Sequence, residues 1–139
     1  MYSHILVAIE HSAADQAVLS HIEQLAGLTR ARLLLVHVAD GWAARHFDDL
    51  KLRESEEIRE DRAYLEELCE RFTARGFEVR GRIALGDPAT ELVKVAHEEH
   101  VDLIAMSTHG HRFLNDLIRG STADRVRHRV TMPVLMVRA

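Results

Sequence analysis

The stretch with the most chemical content is Met106-Ser-Thr-His-Gly-His-Arg-Phe-Leu-Asn-Asp-Leu-Ile-Arg-Gly-Ser-Thr122. It follows an apolar run, Val101–Met106, whose length and branching suit a buried parallel strand. It closes on Gly120-Ser121, with Asp124 three residues past Ser121, the pattern of a capped helix start. A strand that enters a glycine-containing loop and then a new helix makes an anion site. Loop amides and the positive end of the helix dipole converge on one place. Phosphate is the expected ligand chemistry, with amides around Gly110 and from Gly120 into Ser121 and Thr122 as donors. Glycine lets the backbone come close and adopt φ > 0. A second reading needs no ligand. Phe113, Leu114, Leu117 and Ile118 repeat at helical spacing, which makes 111–119 a short helix, Gly120 its stop and Ser121 the next N-cap. Spacing alone leaves both readings open.

Other chemistries find less support. The only lysines are Lys51 and Lys94, neither in a G-x-x-x-x-G-K-[S/T] context, so no P-loop is expected. With no lysine near the last strand, a receiver domain is disfavoured. Glu10-His-Ser-Ala-Ala-Asp15 lacks the glycines of a pyrophosphatase loop, and no H-x-G-H signature follows the first strand. Positive charge near the loop would have to come from Arg112, Arg119 or Arg125. Among ten histidines, His109-Gly110-His111 places two imidazoles together, but no third ligand stands at a known spacing, and no metal site is expected. Hydrolysis needs a positioned base, an in-line water and charge neutralisation. Glu10 is the only candidate base, so little or no catalysis is expected.

The elements that must position these residues alternate. His4–Ile9 reads as a central strand. Ser12 and Asp15 form a capping box for a helix to about Leu28, with Ala14, Val18, Ile22, Leu25 and Ala26 on one face. Leu33–Val38 is a second buried strand, and Asp40–Leu50 an irregular loop. A long charged helix runs from about Leu50 to Arg75, with Leu50, Ile58, Leu65, Leu68 and Phe72 along its buried edge and Gly76 as its stop. Cys69 beside that edge is a packed thiol. Val79–Leu85 alternates as a third strand. Gly86-Asp87-Pro88 supplies a turn, an N-cap and a proline at N1 for a helix ending near His100. Val101–Met106 is the fourth strand, Ser121–Val130 the last helix, and Pro133 opens the fifth strand. Strands alternating with helices mean a doubly wound α/β sheet in one domain, residues 1–139.

Composition limits the partners. With 47% hydrophobic and 29% charged residues the chain is an ordinary globular protein. A net charge of −4 and 5% aromatics favour neither nucleic acid nor an anionic membrane surface. No apolar run approaches the ~20 residues of a membrane span. A single cysteine and a start that leads straight into a strand suggest the cytoplasm.

Ser107-x-x-Gly110-(nine residues)-Gly120-Ser121 resembles the G-x-x-G-x9-G-[S/T] nucleotide loop of the universal stress protein family, with Ser107 in place of the first glycine. Four further landmarks resemble that family in the same order: Ile5–Glu10, Leu33–Val38, Gly86-Asp87-Pro88 and Pro133–Val137. The resemblance implies a five-stranded parallel sheet of order 3-2-1-4-5 with helices on both faces. It further implies ATP or AMP as ligand, ATP with or without Mg2+. The implied contacts are Ala8, Ile9, Glu10, Val38, Met106, Ser107, His109, Gly110, Arg112, Gly120, Ser121 and Thr122. Glu10 matches an aspartate on the ribose and metal side, and Val38 would bond the base through its backbone. The Ser107 side chain narrows the room for backbone approach, while its hydroxyl can donate a bond, so altered binding is expected. Homodimerisation through Pro133, Val134, Leu135, Met136 and Val137 is implied, as is a regulatory role in stress response with an unidentified protein partner. A nucleotide-free scaffold of the same fold and a slow ATP hydrolase are the alternatives.

Overall fold

The apolar runs lie at the centre of the sheet. In a computed structural model, which describes the backbone of residues 1–40, 47–108 and 122–139 and their side chains except those of 40 and 47–55, all six residues of β1 (His4–Ile9) are buried. A parallel strand covered on both faces must be apolar at both parities, which is why β1 carries no polar alternation. The remaining strands are β2 (Arg32–Asp40), β3 (Val79–Gly86), β4 (Leu103–Thr108) and β5 (Val134–Arg138). Their order is β3-β2-β1-β4-β5, with every neighbouring pair parallel. This is the order that the family resemblance implied.

Helices cover both faces. Ile5, Val7, Leu33, Leu35 and Leu103 pack against α1 (Asp15–Thr29) and α2 (Phe47–Ala74), through Val18, Ile22, Leu65, Leu68 and Phe72. Leu6, Ala8, Leu34, Val36 and Ile104 pack on the opposite face with α3 (Pro88–Glu98) and α4 (Thr122–Arg129), through Leu92, Val95, Ala96 and Val126. Alternating Cβ directions along each strand divide the two cores.

Local signals account for most boundaries. The expected Ser12–Asp15 box forms only in part: the Asp15 carboxylate accepts from the Ser12 amide at 3.2 Å, but Ser12 Oγ accepts from the Ala14 amide at 3.2 Å, and Ala14, the N-cap of α1, makes no side-chain cap bond. The first turn is of the tighter 3₁₀ kind, so the α-helix proper begins at Asp15. Asp87 caps α3 through the Thr90 amide at 3.0 Å, with Pro88 at its first position. Gly76, at φ 92, ends α2, and the Phe77 amide reaches back to the Phe72 carbonyl at 3.1 Å.

Several boundaries differ from expectation. α2 starts at Phe47, inside the expected loop 40–50. β4 begins at Leu103 instead of Val101, because Asp102 turns its carboxylate to the Ser3 and His4 amides at 2.8 and 3.1 Å and so closes the entry to β1. It then continues past Met106, since Ser107 and Thr108 pair with Val137 and Arg138 of β5. β5 itself starts at Val134, one residue after Pro133, which lacks an amide for the ladder. No helix among the described residues is long and apolar enough to cross a membrane.

Candidate functional site

The two central strands part company before they end. Pairing of β1 with β4 stops at Val7↔Ala105. Beyond that rung β1 stays with β2 as far as Ile9↔His37, and β4 stays with β5 as far as Thr108↔Arg138. The opening lies at the carboxyl ends of the strands where the chain order reverses, the position at which open α/β sheets take ligands.

Several residues expected from the sequence meet around this opening. Ala8, Ile9, Met106 and Ser107 are buried at the strand ends, Glu10 is exposed just beyond β1, and Thr122 is the first residue of α4. Val38 is half-buried in β2, in register with Ala84. Glu10 accepts from Ser12 Oγ at 3.3 Å, and its amide donates to Asp15 at 2.8 Å. His109, Gly110, Arg112, Gly120 and Ser121 lie outside the described residues, as do Arg119 and the alternative helix 111–119. Arg125 turns away from the role considered for it. It forms a two-pronged bond to Asp87, at 3.1 and 2.9 Å, and ties α4 to the start of α3. Beside it Arg129 donates to Thr90 Oγ1 at 3.1 Å. The Arg125 guanidinium, then the Thr90 amide, hold the Asp87 carboxyl well below the usual carboxylate range.

A second set of residues at the same end of the sheet was not anticipated. Asp15, fully buried, accepts from the amides of Glu10, His11 and Ser12 at 2.8 to 3.2 Å and from the Tyr64 hydroxyl at 2.8 Å. Burial first, then the bond to Asp15, pushes the Tyr64 phenol above its ordinary range. Asp61, one turn before Tyr64 on α2, bridges two imidazoles: His11 Nδ1 at 2.6 Å and His37 Nε2 at 3.1 Å. The other nitrogen of His37 lies 2.8 Å from the Ile9 carbonyl, so both contacts are hydrogen bonds when the ring carries both protons. His11 has φ 64 and stacks on Tyr64 with ring centroids 4.1 Å apart. Together these contacts hold the turn that carries Glu10 against α2. The sequence does carry a signal: Asp61 falls at helical spacing on the stripe of Ile58, Leu65 and Leu68, and His37 interrupts an apolar strand. Among the described residues no group of three or more His, Cys, Asp or Glu is arranged to hold a metal ion.

The model of the universal stress protein family matches residues 1–138. The chain belongs to this family. It is 27% identical to universal stress protein MJ0577 of Methanocaldococcus jannaschii, over 99% of this chain and 96% of that one. It is 30% identical to universal stress protein A homolog 1 of Coxiella burnetii, over 98% of this chain and 96% of that one. The solved structure of MJ0577 superposes with a TM-score of 0.87 at 28% identity, covering 100% of this chain and 97% of the other. The fold is shared with two universal stress proteins solved with nucleotides. One, in complex with cAMP, has a TM-score of 0.73 at 22% identity, covering 99% of this chain and 97% of the other. The other, from Archaeoglobus fulgidus in complex with dAMP, has 0.71 at 23%, covering 98% of each chain. Universal stress proteins thus include nucleotide-bound members with this fold.

Proposed function

We propose that residues 1–139 form one regulatory domain of the ATP-binding type, which takes ATP or AMP across the opening between β1 and β4. The observation that carries this reading is the parting of the two strands after Val7↔Ala105, beside the glycine-containing segment 107–122 that leads into α4. Ala8, Ile9 and Glu10 form one bank, and Met106 and Ser107 the other. His109, Gly110, Arg112, Gly120, Ser121 and Thr122 take the phosphates through amides, hydroxyls and charge, and Val38 meets the base through its backbone. Mg2+ accompanies the triphosphate. The chain acts in stress response in the cytoplasm, and the bound nucleotide changes what protein partner it meets. Calorimetry with ATP and AMP tests this. Heat with ATP, reduced more by Gly120→Val than by Ser121→Ala, supports the reading, because valine blocks close approach whereas serine supplies one hydroxyl bond worth roughly 1 kcal/mol. No heat up to millimolar ATP leaves the nucleotide-free scaffold, a reading favoured by the side chain at Ser107.

Hydrolysis is slow or absent in this proposal, with turnover far below the ~1 s⁻¹ lower edge of ordinary enzymes. Turnover at that level with Mg2+, lost in Glu10→Gln, overturns it. Assembly is proposed as a homodimer through β5. This strand forms one edge of the sheet and exposes Met136, while Leu135 and Val137 are half-buried against the core of α1 and Val134 against that of α4. An edge of this kind invites pairing by a two-fold partner. Light scattering that reports a dimer, weakened by a charge at Leu135, supports this; a monomer at micromolar concentration refutes it.

A further inference from the structure

The three buried polar side chains among the described residues are His4, Asp15 and Ser107. Two are bonded: His4 Nδ1 faces the Glu99 carbonyl at 3.2 Å, and Asp15 accepts from three amides and a phenol. Ser107 is 7% exposed, and its buried hydroxyl has no hydrogen-bond partner. A hydroxyl can donate one bond and accept two, and buried polar atoms that make none call for an explanation. Its position supplies one. Ser107 stands two residues past the last β1–β4 rung, so it borders the opening on its β1 side while pairing with Val137 of β5 on the other. Across the carboxyl ends of the sheet the order is Val38 on β2, Glu10 after β1, then Ser107 on β4, with Thr122 opening α4. A nucleotide with its base toward Val38 and its phosphates toward Thr122 carries its sugar past Glu10 and Ser107.

We infer that the Ser107 hydroxyl is a specificity contact for the sugar, bonding a ribose hydroxyl and so favouring ribonucleotides over their deoxy forms; this rests on the nucleotide reading above. Discrimination of this kind is effective because a sugar without the hydroxyl leaves the buried serine unpaired again, whereas the ribose supplies its missing partner. The same residue sets a trade between folding and recognition. In the free protein the unpaired hydroxyl opposes folding, so a methyl group in its place costs nothing there and removes the selectivity.

The test is calorimetry of the full chain with ATP, 2′-deoxy-ATP and 3′-deoxy-ATP, on wild type and Ser107→Ala, together with thermal melting of both proteins without ligand. Wild type is expected to favour ATP over at least one deoxy form by about fivefold, the worth of one hydrogen bond. In Ser107→Ala that ratio falls to within about twofold of unity, while the ligand-free variant melts at the same temperature or higher. A ratio that survives in Ser107→Ala overturns the inference, as does wild type binding all three nucleotides equally. A lower melting temperature of the ligand-free variant also overturns it, since the hydroxyl would then be bonded within the protein. These results leave nucleotide binding standing. Wild type showing no heat with any of the three overturns the nucleotide reading and this inference with it.

Discussion

The turns after β1 and β3 each close on an aspartate, and the two carboxylates are held in opposite ways. Asp15 is fully buried and faces the dipoles of three amides and one phenol. Asp87 is exposed and faces a guanidinium, the Thr90 amide and the Thr90 hydroxyl. Water can replace most of what surrounds Asp87 but nothing that surrounds Asp15. The first turn therefore depends on its aspartate to keep three amides satisfied, while the second uses its aspartate as a helix cap with an added ion pair. The turn held by the buried aspartate is the one that carries Glu10 at the candidate site. The other links α3 to α4, the helix that follows the glycine-containing segment.

The strongest way to break this contrast is to remove both carboxylates separately. Asp15→Ala is expected to cost about 3 kcal/mol or more, because it takes the shared acceptor from three amides and a phenol at once. Asp87→Ala should cost only about 1 kcal/mol, the usual loss for an N-cap. Urea titrations of the two variants decide it, and equal losses would refute the contrast.

A smaller effect sharpens the role of α2. Tyr64→Phe removes one bond to the Asp15 carboxylate and is expected to cost about 1–2 kcal/mol, within the range for bonds to charged groups. Thermal melting checks this value. Hydrogen exchange at the Glu10, His11 and Ser12 amides should quicken, and exchange elsewhere in the sheet should not. Unchanged exchange at those three amides would mean that α2 does not hold the turn.

Acid supplies the next test. For Asp102, burial raises the carboxyl, but the Ser3 and His4 bonds outweigh it and leave it below its ordinary value. For Glu99, burial likewise raises and the Arg80 and Arg82 bonds prevail. Asp87 is lowered by Arg125 and Thr90. Each group titrates lower folded than unfolded, so the unfolded chain binds more protons through this range. Their stabilisation is complete above the unfolded carboxylate range, near pH ~4, and is lost as pH falls through the folded values. Melting temperature should therefore fall on acidification below about pH 4–5, and Asp87→Asn should flatten part of that slope. An unchanged slope would show that the exposed pair contributes nothing to it.

The smallest effect belongs to Arg125→Ala. An exposed pair of this kind contributes little to stability and is screened by salt. The loss should shrink as ionic strength rises, which melting curves in low and high salt measure. A salt-independent loss would place the contribution of Arg125 in packing of α4 against α3 and not in its charge.

Much of the fold was legible because its signals are local. Apolar runs marked the strands, helical spacing marked the buried faces of α1 and α2, and Gly76 and Gly86-Asp87-Pro88 marked a stop and a start. At the site, the ends of β1 and β4 were legible from their apolar runs, whereas residues 109–121 lie outside the described residues. The boundary at Leu103 was not, because Asp102 serves residues 3 and 4, about a hundred positions away in the chain. Nor was the Asp15–Tyr64 and His11–Asp61–His37 network, whose members come from the β1–α1 turn, β2 and α2.

By itself, the sequence determined which segments are strands and helices and where most of them are capped. These depend on side-chain period, turn chemistry and backbone freedom within a few residues. Only the tertiary structure decided that β1 and β4 separate after three rungs, that Arg125 is spent on Asp87, and that Ser107 is buried without a partner. Register, burial and hydrogen-bond satisfaction are properties of surfaces brought together by packing, and the spacing of residues along one chain does not specify them.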